Sequence, residues 1–198
     1  MVKKGIYIEA LSIFWTLIEA GVAIGAGIAA HSLVLTAFGA DSIIELIAGF
    51  VLLWRLWLEM KRQPFRKVKH AEKFASWVVG ISLILLAFYI VVSAIYNLFS
   101  QNSAETSLLG IALALISGII MPVIAFAKRN IGTRIRSKAL VADSCCSMVC
   151  AYMSWVLIVG VVSNAVLKLW WIDSFISLVL VYFVLKEGLE ALHEAGRR

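Results

Sequence analysis

Six long apolar stretches run along this chain, separated by short polar or basic segments. A helix needs about 20 mostly apolar residues to cross the hydrocarbon core of a bilayer. On that criterion the pattern predicts helices over 7–30, 33–58, 74–99, 106–127, 138–163 and 170–191. Only His31 and Ser32 separate the first two, so these should form a tight antiparallel hairpin. The first run starts near Ile6 and continues well past the length of a signal-peptide core, with no small-residue cleavage site before the next run. It reads as a spanning helix and not as a leader. The expected fold is an all-α integral membrane bundle of six transmembrane helices, one domain over 1–198, with no soluble domain appended.

The charges give this bundle an orientation. Lys3 and Lys4 precede the first helix, and Arg55 through Lys73 form a basic cluster between the second and third. Lys128, Arg129, Arg134, Arg136 and Lys138 sit between the fourth and fifth, and Lys186, Arg197 and Arg198 near the end. Of the 18 Lys and Arg residues, all but Lys168 fall on one side of the predicted membrane. The positive-inside rule then puts both termini in the cytoplasm of a multi-pass inner or plasma membrane protein. Trp170 and Trp171 fall at the outer interface, which indole rings prefer.

Composition agrees. Hydrophobic residues make up 62% of the 198 and charged ones 15%, with a mean hydropathy of +0.96. A soluble domain of this size could not hide that much apolar surface. The net charge of +6 would suggest nucleic acid in a soluble protein. Here the segment from Lys61 to Lys73 suits anionic lipid headgroups better, and no nucleic-acid partner is expected. The three cysteines contain no Cys-x-x-Cys pair and suggest no disulfide framework. Gly21, Gly25 and Gly27 read as a small-residue stripe for close helix packing. Pro122 should bend the fourth helix.

Ionisable residues inside the predicted spans carry the functional signal, because each costs roughly 2.5–3.5 kcal/mol at a helix centre. Glu19, Asp41, Glu45 and Asp143 look deep; Glu9 and Asp173 lie nearer helix ends. Asp41 and Glu45, four apart, share one helix face. Two neighbouring carboxylates in low dielectric repel, and a divalent cation or protons would relieve that repulsion. A hydrogen-bonded structural pair is the alternative. Cys146 and Cys150 repeat the spacing on the fifth helix, where two buried thiols by themselves suggest only packing. Depth adds to this. At 1.5 Å per residue, Asp41 and Glu45 lie about 12 and 18 Å below the outer edge, and Cys146 and Cys150 about 12 and 18 Å above the inner edge. In a core of about 30 Å, Asp41 levels with Cys150 and Glu45 with Cys146. Two oxygens and two sulfurs suit a tetrahedral ion. Cys145 points about 100° away from Cys146 and reads as packing.

The two segments also match each other. Ser32-x-x-Leu35-x-Ala37 leads to Asp41 and Glu45; Ser137-x-x-Leu140-x-Ala142 leads to Cys146 and Cys150, at one constant offset. Helices one to three and four to six would then form a 3+3 inverted repeat, a recurring transporter design with a midplane site.

At these residues the chain resembles the cation diffusion facilitator family of divalent-metal/proton antiporters. That family's second and fifth helices carry a motif like Ser-x-x-Leu-x-Ala-Asp-Ala-x-His-x-x-x-Asp, and both segments align with it without gaps. Trp170-Trp171-Ile172-Asp173 looks like the start of the family's sixth helix. Three features depart. Cys146-x-x-x-Cys150 replaces His-x-x-x-Asp, the second-helix pair ends in Glu45, and no counterpart of the family's cytoplasmic ferredoxin-like domain is expected. The resemblance implies a compact, divergent member: a metal transporter and not an enzyme, without a prosthetic group.

The expected function is efflux of a zinc-like divalent ion, coupled to protons by alternating access. Asp41, Glu45, Cys146 and Cys150 are the expected metal ligands, with zinc first and cadmium, iron and manganese also compatible. Glu19 and Asp143 are candidates for an auxiliary ligand or proton relay. For Glu19 the alternative is a buried glutamate bonded to a neighbouring helix; for Asp143, a helix cap. Asp173 reads as the cap of the sixth helix. His31, His70 and His193 read as solvated or interfacial. The resemblance alone implies a homodimer. The rival functions are a metal-binding membrane sensor or regulatory subunit without transport, and a thiol oxidoreductase, which the cysteine spacing and depth disfavour.

Overall fold

A computed structural model of the protein describes residues 2–29, 33–100, 108–167 and 172–197. All of them except a short turn after Met60 and another after Ile135 are helical. The helices are α1 (Val2–Ala29), α2 (Leu33–Met60), α3 (Phe65–Ser100), α4 (Leu108–Ile135), α5 (Lys138–Leu167) and α6 (Ile172–Arg197). His31, the 101–106 segment, Lys168, Trp170 and Trp171 lie outside the described residues, as does the side chain of Asp173.

Several helices run past the spans expected from hydropathy. α3 begins at Phe65 and not at 74, α4 continues to Ile135 and not 127, and α6 reaches Arg197 and not 191. The basic segment expected as a loop from Lys61 to Lys73 is therefore mostly the first turns of α3. Hydropathy marks where lipid contact ends. The backbone stays helical beyond it, because Lys, Arg and Glu propagate a helix well in water or among headgroups. α4 also runs through Pro122 without ending.

Both turns at this end close in the same way. Gln63 N–H reaches Leu58 C=O and Arg62 N–H reaches Glu59 C=O; Ser137 N–H reaches Gly132 and Arg136 N–H reaches Thr133. That crossed pattern is the Schellman cap, which places the residue after the helix end in the left-handed region. Arg62 (φ 51°) and Arg136 (φ 55°) occupy those positions.

The residue distribution is inverted relative to a water-soluble bundle. α1 buries Gly5, Glu9, Ser12, Thr16, Glu19, Ala20, Ala23 and Gly27, all small or polar. Its other face exposes Tyr7, Leu11, Phe14, Leu17 and Ile28. α4 likewise exposes Ile119, Val123 and Phe126 while burying Ser117 and Lys128. An apolar exterior around a polar interior is what lipid solvation favours. Among the described residues, four helices are long and apolar enough to cross a membrane: α1, α3, α4 and α5.

Contacts define the architecture. α1 packs on α2, α2 on α5, α5 on α4 and α4 on α1, so these four close a ring. α3 and α6 pair with each other and lie against α2 and α5. The α3–α6 pair is close because two glycines face each other: a Cβ on Gly188 would meet the Gly80 carbonyl at 3.4 Å. α1 and α2 approach through Gly39, where a Cβ would stand 2.5 Å from the Ile24 side chain and 2.9 Å from its backbone nitrogen. The expected stripe of Gly21, Gly25 and Gly27 does not make this contact. Gly21 and Gly25 are exposed with nothing nearby, and only Gly27 is buried.

Candidate intramembrane metal site

The four-helix ring has a polar interior arranged in layers. Near the end where α1 begins, α4 finishes and α5 starts, Lys128 lies between two carboxylates. Its Nζ is 2.6 Å from Asp143 Oδ2 and 3.3 Å from Glu9 Oε2. Glu9 and Asp143 are 0% exposed and Lys128 1%. Glu9, expected near a helix end, lies about two turns inside α1, which starts five residues earlier than hydropathy placed it, on the face that packs inward with Gly5, Ser12 and Thr16. Asp143 does not cap its helix. That role falls to Ser137, whose Oγ accepts from Leu140 N, and to Glu72 of α3, which accepts from Ala139 N at 2.9 Å and from the Ser137 hydroxyl. Glu72 also pairs with buried Arg55, which bonds Glu59 in turn.

One turn further along α5, the Ser147 hydroxyl donates to Glu45 Oε1 at 3.1 Å. This joins α2 to α5 at the level where Glu45 and Cys146 were expected to meet. The two helices are rotated so that Ser147 faces Glu45. Cys146 is buried in an apolar cluster with Ala48, Val79 and Leu83.

Deeper still, Glu19 gathers a second set. Ser117 of α4 donates to it at 2.6 Å, and Trp15 Nε1 donates to Ser117 Oγ at 3.2 Å. The Cys150 thiol points at both Glu19 oxygens, at 3.7 and 3.8 Å. Cys150 also interacts with the Glu45 carboxylate. Asp41, buried on α2, lies within electrostatic range of Glu45 and Glu19. Tyr89 of α3 reaches the same neighbourhood from outside the ring.

The structure thus brings Cys150 to Glu19 and within reach of Glu45 and brings Asp41 near that group, while Cys146 packs with Ala48, Val79 and Leu83 and stays within electrostatic range of Glu45 and Asp143. Among the described residues, no three acid, thiol or imidazole groups converge closely enough to hold a metal ion as they stand. Cys145 is half-buried beside Glu187 of α6. His70 and His193 are exposed.

Sequence reasoning places Lys128 only among the charges that orient the bundle and misses its burial. A signal for it exists. The buried positions of α4 run Ser117, Met121, Ile124, Lys128, Gly132, at helical spacing of three and four, and Lys128 falls on that line.

A helical bundle with apolar outer faces and buried carboxylates in its interior defines a multi-pass membrane protein with charged groups in its core. The chain belongs to the cation efflux transmembrane domain family, whose model matches residues 10–198. This is a transporter family and not an enzyme family. Transmembrane protein 163 of Xenopus laevis is 25% identical over 96% of this chain and 66% of its own length. The uncharacterized transporter sll1263 of Synechocystis sp. is 31% identical over 93% of this chain and 60% of its own length. The manganese efflux system protein MneS of Bacillus subtilis is 23% identical over 98% and 68%, respectively. The chain therefore spans roughly two thirds of the length of these curated relatives.

Proposed function

We propose that this protein exports a divalent metal cation by alternating access, with the ion bound inside the ring of α1, α2, α4 and α5. The observation that carries the reading is the meeting of Glu19, Glu45 and Cys150 from three helices, with Asp41 beside them, in the lipid-facing bundle. Buried ionisable groups are costly in a membrane and persist mainly on ion and proton pathways. Asp41, Glu45 and Cys150 form the core of the ligand set. Cys146 and Glu19 compete for the fourth place. A cation relieves the repulsion among the carboxylates, and that relief draws the groups together on binding.

All six helices span the membrane in this reading, both termini are cytoplasmic, and the halves are inverted repeats. The pairing supports this: α1 packs on α2 as α4 packs on α5, and α3 pairs with α6. The partners are the metal, protons, lipid and a second copy of the chain. Zinc is the first ion to test, since a thiol and carboxylates suit it. Manganese is the second reading. It is favoured by Glu19, which makes the donor set richer in oxygen, and by the name of the Bacillus relative.

The test is calorimetric titration of the purified chain with zinc and manganese, comparing the parent with Asp41→Ala, Glu19→Ala and Cys146→Ala. Loss of binding in Asp41→Ala is expected. Of the other two, the one that abolishes binding outright is the fourth ligand, and a partial loss of about 10- to 100-fold marks a residue that only orients the site. A parent that binds neither metal sinks the reading. A parent that binds but gives no flux in liposomes leaves the non-transporting sensor. Thiolate ligation displaces protons, so affinity should rise with pH.

A further inference from the structure

The Glu9–Lys128–Asp143 layer lies outside the proposed ligand set, yet it has features a plain structural ion pair does not need. It ties three helices of the ring, α1, α4 and α5, at one end. It holds two carboxylates against one ammonium, and among the described residues Asp143 Oδ1 has no hydrogen-bond partner. Buried polar groups serving structure alone are normally satisfied. The layer also lies on the axis of the polar interior. Asp143 is seven residues from Cys150, about 10 Å along α5, and Glu9 is ten residues from Glu19, about 15 Å along α1. Glu45, between the layers, is within electrostatic range of Lys128. Along the ring the ammonium stands at this end, paired with Glu9 and Asp143, and Glu45 and Cys150 lie further in. A lysine suits a part that moves: it is a compact charge on a flexible four-carbon stem, where an arginine fork would be locked in place.

We propose that Lys128 closes the ion path at this end, its ammonium occupying, between Glu9 and Asp143, the place an entering divalent cation takes when the side chain swings aside. Lys128 is thus a positioning residue that holds α1, α4 and α5 together in the closed state and gives way to the substrate. The proposal rests on the transport reading for what travels along the path, but the closure itself can be measured without metal.

Cys150 is a native reporter on the far side of the closure. The full chain carrying Cys145→Ser is placed in right-side-out and inside-out vesicles. A small, charged, membrane-impermeant methanethiosulfonate is added, and the rate of Cys150 modification is read by mass spectrometry. With Lys128 present, Cys150 should react slowly from the face that carries the chain termini. Lys128→Met should speed its modification at least about tenfold from that face and not from the other, equivalent to about 1.4 kcal/mol taken from the closed state. No acceleration, or an equal acceleration from both faces, overturns the proposal.

If Lys128→Met does not fold because two carboxylates are left uncompensated, the triple variant Glu9→Gln, Lys128→Met, Asp143→Asn decides. Replacing a buried ion cluster by neutral groups of similar volume commonly preserves a fold. A triad that is only structural leaves that variant closed and Cys150 slow, which overturns the proposal. A closure makes it fast from the terminal face. Failure of the calorimetric titration would sink the transport reading and leave this result standing, and the converse holds equally.

Discussion

The thiol of Cys150 on α5 points at the carboxylate of Glu19 on α1, 3.7 Å from one oxygen and 3.8 Å from the other. The two helices are not among the strongly packed pairs of the ring, so the contact crosses its interior. Ser117 of α4 fixes the same carboxylate from a third side. Glu19 is therefore expected to orient the proposed site even where it does not touch the ion. Glu19→Gln, which keeps the shape and removes the charge, should weaken zinc or manganese binding about 10- to 100-fold. Titration calorimetry reads this directly, and unchanged affinity would return Glu19 to a purely structural role.

Glu72 joins the end of α2 to the start of α5. It neutralises buried Arg55 and accepts the backbone N–H of Ala139 and the hydroxyl of Ser137. Glu72→Ala leaves the buried guanidinium with Glu59 alone and removes part of a helix cap. A loss of about 3 kcal/mol is expected, from the cost of breaking a buried pair. A melting curve in detergent should show it as a clear drop in midpoint, and a shift of under a degree would contradict the assignment.

Arg136 ends α4 in the left-handed region at φ 55°. A residue with a Cβ pays about 1 kcal/mol or more there, and glycine does not. Arg136→Gly should therefore raise the thermal midpoint. In the topology reading its positive charge is one of those that mark the cytoplasmic side. The substitution should accordingly also lower the fraction of chains inserted in the correct orientation, measured by protease protection of a terminal tag.

Gly39 and Gly25 should respond oppositely to alanine. At Gly39 the new methyl meets the Ile24 side chain and backbone, which α1 cannot yield without moving. Overpacking of this kind costs about 1–3 kcal/mol. At Gly25 nothing lies within 4 Å, and alanine gains up to about 1 kcal/mol of helix propensity. Equal responses in melting experiments would mean that α1 and α2 do not approach through Gly39.

Much of this protein was fixed by its sequence. Long apolar stretches have one way to satisfy their backbone in lipid, so the six helices and the matched pairs Asp41/Glu45 and Cys146/Cys150 could be read from the sequence, and the resemblance to a known family added the motif. Distance along each helix could be read as well, because residues on a helix advance by a constant rise. Two things could not. Hydropathy marks where a membrane ends and not where a helix does, so the extended α3 and α4 escaped it, and with them the buried course of Lys128. Rotation about the helix axis escaped too. It is set by contacts among all the helices: Gly39 lets α1 and α2 close up, and the α3–α6 pair lies against the α5 face that carries Cys146. That packing turned Ser147 toward Glu45 and Cys150 toward Glu19. Sequence spacing determined how far along its helix each group lies; only the tertiary packing decided which of them face each other.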